Sequence, residues 1–228
     1  MHRGGELDFA AQRLRMVDLI AARGVRSAAV LAAMRRLPRE RFVSAGFEKF
    51  AYEDGPLPIG AGQTISQPYI VALMLEAAEL GLRDKVLEVG AGSGYAAALA
   101  GMIVREVVAI ERHAVLVESA KKRLKLLRIA NVDVRAGDGT RGLAEEAPFD
   151  AILVAAGGPQ VPESLKLQLA IGGRLVIPVG DESQRQSLRK LTRRSKIHFE
   201  EEDLGGVMFV PLIGEEGWTE DAPRSPQS

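Results

Sequence analysis

Between Lys85 and Gly180 one alternation restricts the fold more than any other feature. Short apolar runs, "KVLEVG", "EVVAIER", "VDVRAGDG", "FDAILVAAG" and "RLVIPVG", recur along this part of the chain. The segments "GYAAALAGMI", "HAVLVESAKKRLKLLRIA" and "PESLKLQLAIGG" read as helices between them. Strands that are apolar along their whole length must be covered on both faces, and crossover helices join parallel strands. Right-handed crossovers then give an α/β, doubly wound, mostly parallel Rossmann-like sheet with helices on both faces.

Ahead of this core, apolar residues at helical spacing predict a helix over Leu7–Arg23 ending at Gly24. A second runs over Ser27–Arg36 from a serine cap. A Gly/Pro-rich stretch, Asp54–Gly62, precedes a helix from Pro68 to Leu80 that closes on Gly81. Beyond the core, "SLRKLTRRSKIHFEEED" and "GGVMFVPLI" read as antiparallel strands added at an edge. The tail "GEEGWTEDAPRSPQS" is expected to fray.

Charge and cysteine narrow the function. Lys and Arg total 30, as do Asp and Glu, so no global field draws the chain to nucleic acid or an anionic membrane. "KKRLKLLR" (Lys121–Arg128) reads as the solvated face of an amphipathic helix whose buried side holds Leu124, Leu127 and Ile129. The chain has no cysteine, which excludes a cysteine nucleophile and a Cys-ligated zinc site and fits a reducing cytoplasm. His2, His113 and His198 lie far apart, so no histidine metal cluster is expected. No signal-peptide core or apolar run of membrane-spanning length is visible, so a cytoplasmic location is expected.

In an open α/β sheet the ligand sits at the carboxyl ends of the strands, and the first strand–helix turn usually holds the nucleotide. Here that turn is "LEVGAGSGYA", where Gly90, Gly92 and Gly94 permit a tight bend and a close backbone approach. Tyr95 occupies the position of the third glycine in the dinucleotide fingerprint, and "GAGSG" lacks the Lys of a P-loop. Acidic residues mark three successive strand ends instead. Glu88 precedes the first glycine, Glu111 of "VAIER" can accept two ribose hydroxyls, and Asp138 of "GDG" can accept an adenine amino group. Together with "FDAILVAA" these features resemble the S-adenosylmethionine-dependent methyltransferases. The cofactor expected is therefore S-adenosylmethionine.

The acceptor remains to be read. Without cysteine no cysteine-adduct mechanism operates, and "VAAGGPQVP" is not the Asn/Asp-Pro-Pro-aromatic motif of enzymes that methylate exocyclic amines of bases. An anionic acceptor, already a nucleophile, needs only to be held. "QTISQPYIV" places Thr64 and Ser66 just before a helix N-terminus, with no acidic neighbour in the sequence. Hydroxyls, free backbone N–H groups and the helix dipole there would favour a carboxylate. On local sequence alone, however, the favoured reading of Ser66 is a plain helix cap.

A wider resemblance bears on this choice. "LPRERFV", "LPIGAGQTISQPYIV", "VLEVGAGSGY", "GDG", "APFDAILVAA", "GGRLVIPVG" and "FVPL", in this order, resemble the protein-L-isoaspartate O-methyltransferases, bacterial type, from about Val30 to Leu212. The resemblance implies methyl transfer to the free α-carboxylate of L-isoaspartyl residues in damaged proteins and peptides. Repair then proceeds through a succinimide. It also implies roles for particular positions. Ser66 matches the active-site serine, and Gln63, Thr64, Ile65 and Ser66 border the cofactor. Glu88, Gly90, Gly92 and Gly94 match the methionyl-side loop, Glu111 with Arg112 the ribose side, and Asp138 with Gly139 the adenine side. Thr64, Ile65 and Ser66, with Val210 and Leu212 of "FVPL", match the substrate side, where a late strand pairs with an extended peptide. Ile213 stands where many relatives carry a polar residue.

The expected organisation is one methyltransferase domain over 1–214: a helical, active-site segment (1–80), a cofactor-binding core (81–180) and a β edge (181–214). Residues 215–228 would form a flexible tail. The expected partners are isoaspartyl-containing proteins and peptides, with no nucleic acid, no membrane, no metal and a monomeric state. "YEDGPLPIGAG" could be a hinged lid or a rigid loop. Two other readings stay open: a methyltransferase of a small-molecule carboxylate or an RNA, and a cofactor-binding module without catalysis.

Overall fold

Seven strands form one sheet in the order β5-β4-β3-β6-β7-β8-β9, and five of them run parallel. They are β3 (Lys85–Val89), β4 (Glu106–Glu111), β5 (Val132–Ala136), β6 (Phe149–Val154), β7 (Leu169–Gly180), β8 (Gln186–Arg193) and β9 (Phe199–Val207). β8 and β9 add antiparallel at one edge. This computed structural model describes residues 8–181 and 186–220. Strand order reverses between β4-β3 and β3-β6, and that reversal opens the ligand crevice of a doubly wound sheet. The fold expected from the alternation is the fold observed.

Side chains alternate between two cores, as the period of a strand requires. In β6, Ala151 and Leu153 face the larger core while Ile152 and Val154 face the smaller one. The larger core also takes the apolar faces of α1 (Phe9–Ala22), α2 (Ala28–Arg36), α3 (Pro68–Ala77), α4 (Tyr95–Gly101) and α5 (Ala114–Leu126). The smaller core packs Phe149 and Leu175 against Leu165 of α6 (Glu163–Leu167). Asp8 and Ser27 cap α1 and α2 through their side-chain oxygens. Along α5, Lys121, Lys122 and Lys125 are exposed while Leu124 is buried, and Arg128 just beyond it is exposed too.

Several boundaries differ from the expectation, each for a visible reason. α3 stops at Ala77, and Glu79, not Gly81, takes the left-handed turn at φ +49°. The guanidinium of Arg174 claims the carbonyls of Ala78 and Glu79 and draws the chain off the helix axis. α5 ends at Leu126 because Arg128 turns at φ +57°, which lets Ile129 N donate back to Leu124 O at 3.0 Å. "PESLKLQLAIGG" forms only the five-residue α6, and its "LAIGG" belongs to β7. Phe149 N donates to Gln168 O at 2.9 Å, and Leu169, 1% exposed, is drawn into the smaller core. The paired glycines offer a helix little resistance to that pull.

Three further expectations need correction. Leu57–Gly60 (β1) and Gln63–Ile65 (β2), expected as loop, pair as an antiparallel hairpin. Residues 60–62 turn it, all with positive φ. The segment "GGVMFVPLI" is not a second edge strand: β9 ends at Val207, and Phe209–Ile213 runs beside Gly157 instead. Gly157 N donates to Val210 O and Leu212 N donates to Gly157 O, both at 2.8 Å. Finally, residues 215–220 of the expected flexible tail are folded against the sheet ends (below); residues 221–228 lie outside the described residues.

Candidate active site

One cleft lies at the carboxyl ends of β3 and β4, where a doubly wound sheet places its ligand. It gathers Gln63, Thr64, Ile65, Ser66, Glu88, Gly90, Gly92, Glu111, Arg112, Gly139, Val210 and Leu212. Of the residues singled out in the sequence, Gly94 and Asp138 stand outside this lining. Gly94 is the cap residue of α4 at φ +85°, and a Cβ there would sit 3.2 Å from that of Ala120. It is glycine so that α4 and α5 can approach. Ser93, His113, Ala155 and Ala156 also line the cleft and went unread. Small or single polar residues carry no pattern that sequence could reveal.

The glycine turn is held from behind. Gly90 N and Ala91 N both donate to Ile110 O, and Gly92 N donates to Glu111 Oε2 at 2.9 Å. Glu111 Oε1 accepts from His113 N at 2.9 Å. Glu111, 5% exposed, therefore ties two strand ends together, and each oxygen keeps a second lone pair for a ligand hydroxyl.

Glu88 differs. It is 2% exposed on a strand buried from Val86 to Val89, and its Oε2 has no hydrogen-bond partner among the described residues. Burial, then the nearby charge of Glu111, pushes its carboxyl up to about 8. A buried acceptor left open inside a cleft suits a ligand that brings its own positive donor.

The β1–β2 hairpin lies over this turn. Ile59 and Ile65 are buried, and a Cβ on Gly92 would meet Ile59 Cδ1 at 3.1 Å. Thr64 on β2 and Ser66 just beyond its end thus stand beside the glycine loop. Ser66 does not cap α3, whose cap residue is Gln67 with no side-chain capping bond. The anion site expected at that helix end is corrected too. Tyr69 N donates to Asp54 Oδ1 at 3.1 Å, and Gln67 Nε2 to Asp54 Oδ2 at 2.7 Å. A carboxylate of the chain already holds the α3 terminus, and Asp54 is tied further to Arg23, whose guanidinium covers the Tyr69 ring.

The cation of this region lies deeper. Arg39 of "LPRERFV", 0% exposed, donates through Nε to Ala51 O at 2.8 Å and through Nη2 to Ser66 O at 2.9 Å. Its guanidinium lies 4.8 Å from the centroid of Tyr95, which lines the cleft. Sequence reasoning quoted this arginine without assigning it. It sits among the other charges of "RRLPRER", and nothing local marks it as buried or says what it reaches.

The family model described as protein-L-isoaspartate(D-aspartate) O-methyltransferase matches residues 11–217. A protein-L-isoaspartate O-methyltransferase 1 of Rhodopseudomonas palustris (strain HaA2) is 58% identical over 217 residues, 95% of this chain and 89% of that protein. A protein-L-isoaspartate O-methyltransferase of Brucella anthropi is 52% identical, over 92% of this chain and 97% of its own length. A solved protein-L-isoaspartate O-methyltransferase superposes with a TM-score of 0.81 at 30% identity, covering 90% of this chain and 67% of that one. A Plasmodium falciparum structure, described as a beta-aspartate methyltransferase in complex with S-adenosyl-L-homocysteine, superposes with a TM-score of 0.77 at 27% identity. It covers 88% of this chain and 98% of that one.

Proposed function

Since the chain belongs to the protein-L-isoaspartate(D-aspartate) O-methyltransferase family, we infer that it methylates the free α-carboxylate of L-isoaspartyl residues in damaged proteins and peptides. S-adenosylmethionine is the donor. The ester cyclises to a succinimide because alkoxide leaves more readily than the oxygen of an ionised carboxylate, and hydrolysis returns part of the material to the normal linkage. The observation that carries the reading is the seating of residues Gln63–Ser66 against the glycine turn, in a chain matched by that family over residues 11–217.

When bound, the cofactor supplies an activated sulfonium methyl, so the chain has to orient and desolvate. In this reading the open oxygen of Glu88 takes the methionyl ammonium, Glu111 the ribose hydroxyls with Arg112 beside it, and Gly90 and Gly92 let the backbone approach. Asp138 and Gly139 serve the adenine. Gln63, Thr64 and Ile65 border both ligands, and the Thr64 and Ser66 hydroxyls donate to the acceptor carboxylate. Val210 and Leu212 run along the peptide side. No residue has to remove a proton, because a carboxylate acceptor is ionised at neutral pH.

The equal numbers of basic and acidic residues support a chain that works without nucleic acid or a membrane surface. No helix among the described residues is long and apolar enough to cross a membrane. The absence of cysteine supports a reducing cytoplasm as its place of work.

A peptide pair tests the reading. With labelled cofactor, the isoaspartyl peptide should yield an ester that releases methanol, and its aspartyl twin should not. Equal labelling of both, or of neither, would contradict it.

Glu88 gives a pH signature. In the free protein it stays protonated up to about pH 8, whereas a bound ammonium favours the carboxylate. Binding therefore releases a proton, and affinity for S-adenosylhomocysteine should rise between pH 6 and pH 8, by at most about tenfold per unit. In the unliganded protein the sign reverses. The folded pKa lies above its ordinary 4.5, so Glu88 contributes stability that is full below 4.5 and lost as pH rises through about 8. Glu88→Gln should flatten both slopes in calorimetry; a pH-independent affinity in the unaltered protein would refute the assignment.

A further inference from the structure

Asp138 stands outside the cleft lining, yet Gly139, Leu212 and Ile213 on either side of it line the cleft. What lies over it is the segment 214–220. Asp138 Oδ1 accepts from Thr140 N at 2.9 Å and Thr140 Oγ1 at 2.7 Å, and Oδ2 accepts from Glu215 N at 2.8 Å. Burial works to raise its pKa, but the bonds from Glu215 and Thr140 outweigh it and hold the carboxyl below the usual carboxylate range.

The segment is itself anchored to five further residues. Glu216 N donates to Thr140 Oγ1 at 3.1 Å, and the Glu216 carboxylate accepts from Ser164 N at 3.0 Å and from the Ser164 hydroxyl. Trp218 N donates to Leu212 O at 2.8 Å and its indole Nε1 to Gly157 O at 3.0 Å. Glu220 pairs with Arg112, at the end of β4. A Cβ on Gly214 would run into the Asp138 carboxylate, and one on Gly217 into the Leu212 carbonyl. The ends of β4, β5 and β6 are thus strapped together by a part of the chain that contributes nothing to the sheet.

We propose that residues 214–220 are a positioning strap that sets the Asp138 carboxylate for the adenine of the cofactor and so makes the site selective for adenine. The proposal rests on the reading of Asp138 given above. Two ionised oxygens offer about four acceptor positions, and three are filled by the chain's own donors. One position remains, on Oδ2. It can take a single N–H, as from an amino group, and it repels the carbonyl oxygen that hypoxanthine carries at the same place. Release of Glu215 N frees the carboxylate to turn about its last torsion, and the discrimination goes with it.

Dissociation constants for S-adenosylhomocysteine and S-inosylhomocysteine, with KM for an isoaspartyl peptide at saturating cofactor, test this. The double variant Glu216→Ala/Trp218→Ala should lower the adenosyl preference by about tenfold or more, the scale of one charge-assisted hydrogen bond, and leave the peptide KM unchanged. Glu216→Gln, whose amide oxygen can still accept from Ser164 N, should retain the preference. Asp138→Asn should lose it. A double variant that keeps the preference while Asp138→Asn loses it overturns the strap and leaves the Asp138 reading intact. If Asp138→Asn keeps it as well, the reading fails and the strap with it. A matching rise in peptide KM would make the strap a general support and would also overturn the proposal.

Discussion

Arg39→Ala is expected to lose about 3–5 kcal/mol of stability, and methylation of an isoaspartyl peptide is expected to fall at least about a hundredfold in kcat/KM. The reason is the arrangement of its two carbonyl partners. Ala51 O and Ser66 O would each be left without their buried donor, at about 1–3 kcal/mol apiece, and a cavity would open beneath Tyr95. Burial lowers the pKa of Arg39, and no carboxylate lies within ion-pair distance of it among the described residues. Its positive charge sits instead against the Ser66 carbonyl, at a residue that does not itself line the cleft. Arg39→Met keeps most of the volume and separates the two effects: it should recover part of the stability while methylation stays low. Chemical denaturation with steady-state kinetics reads both, and an Arg39→Met protein with unaltered kcat/KM would show that the arginine only fills space.

Ser66→Ala is the second large effect, with the opposite profile. Ser66 caps no helix, so the melting temperature should move by no more than about 2 °C. Affinity for S-adenosylhomocysteine should stay within about twofold, since the loss is one donor toward the acceptor. Turnover should fall by about 10²–10³, the usual result of removing one well-aligned donor from a transition-state site. Isothermal titration and single-turnover kinetics separate the two quantities. A drop in stability with turnover intact would return Ser66 to a purely architectural role.

The contrast between these residues shows what the chain reveals in one dimension. The parallel core was legible because strands buried on both faces must be apolar throughout, as Val86, Leu87 and Val89 are. Glu88, Glu111 and the glycine turn were legible because carboxylates and glycines at strand ends have few other reasons to recur there. Asp54 at the start of α3 and Arg39 behind Ser66 were not, because each acts across 12 to 27 residues of intervening chain through contacts that no local pattern encodes. The hairpin of Gln63–Ile65 escaped because its strands are only four and three residues long. The tail was misread for a related reason. Pro, Ser and Glu look like solvated chain, whereas Glu215–Trp218 is held by donors and acceptors contributed by the segments that follow β5 and β6 and by α6.

The central claim is that the cleft holds an acceptor that is already ionised, so that nothing need take a proton from it. The single-turnover rate of the preformed cofactor complex with an isoaspartyl peptide, followed against pH, measures this directly. An α-carboxyl titrates near 3.5, so the rate should be level from about pH 5 upward. A rising limb near neutral pH that disappears in His113→Asn, a cleft residue able to act as a base, would contradict the account.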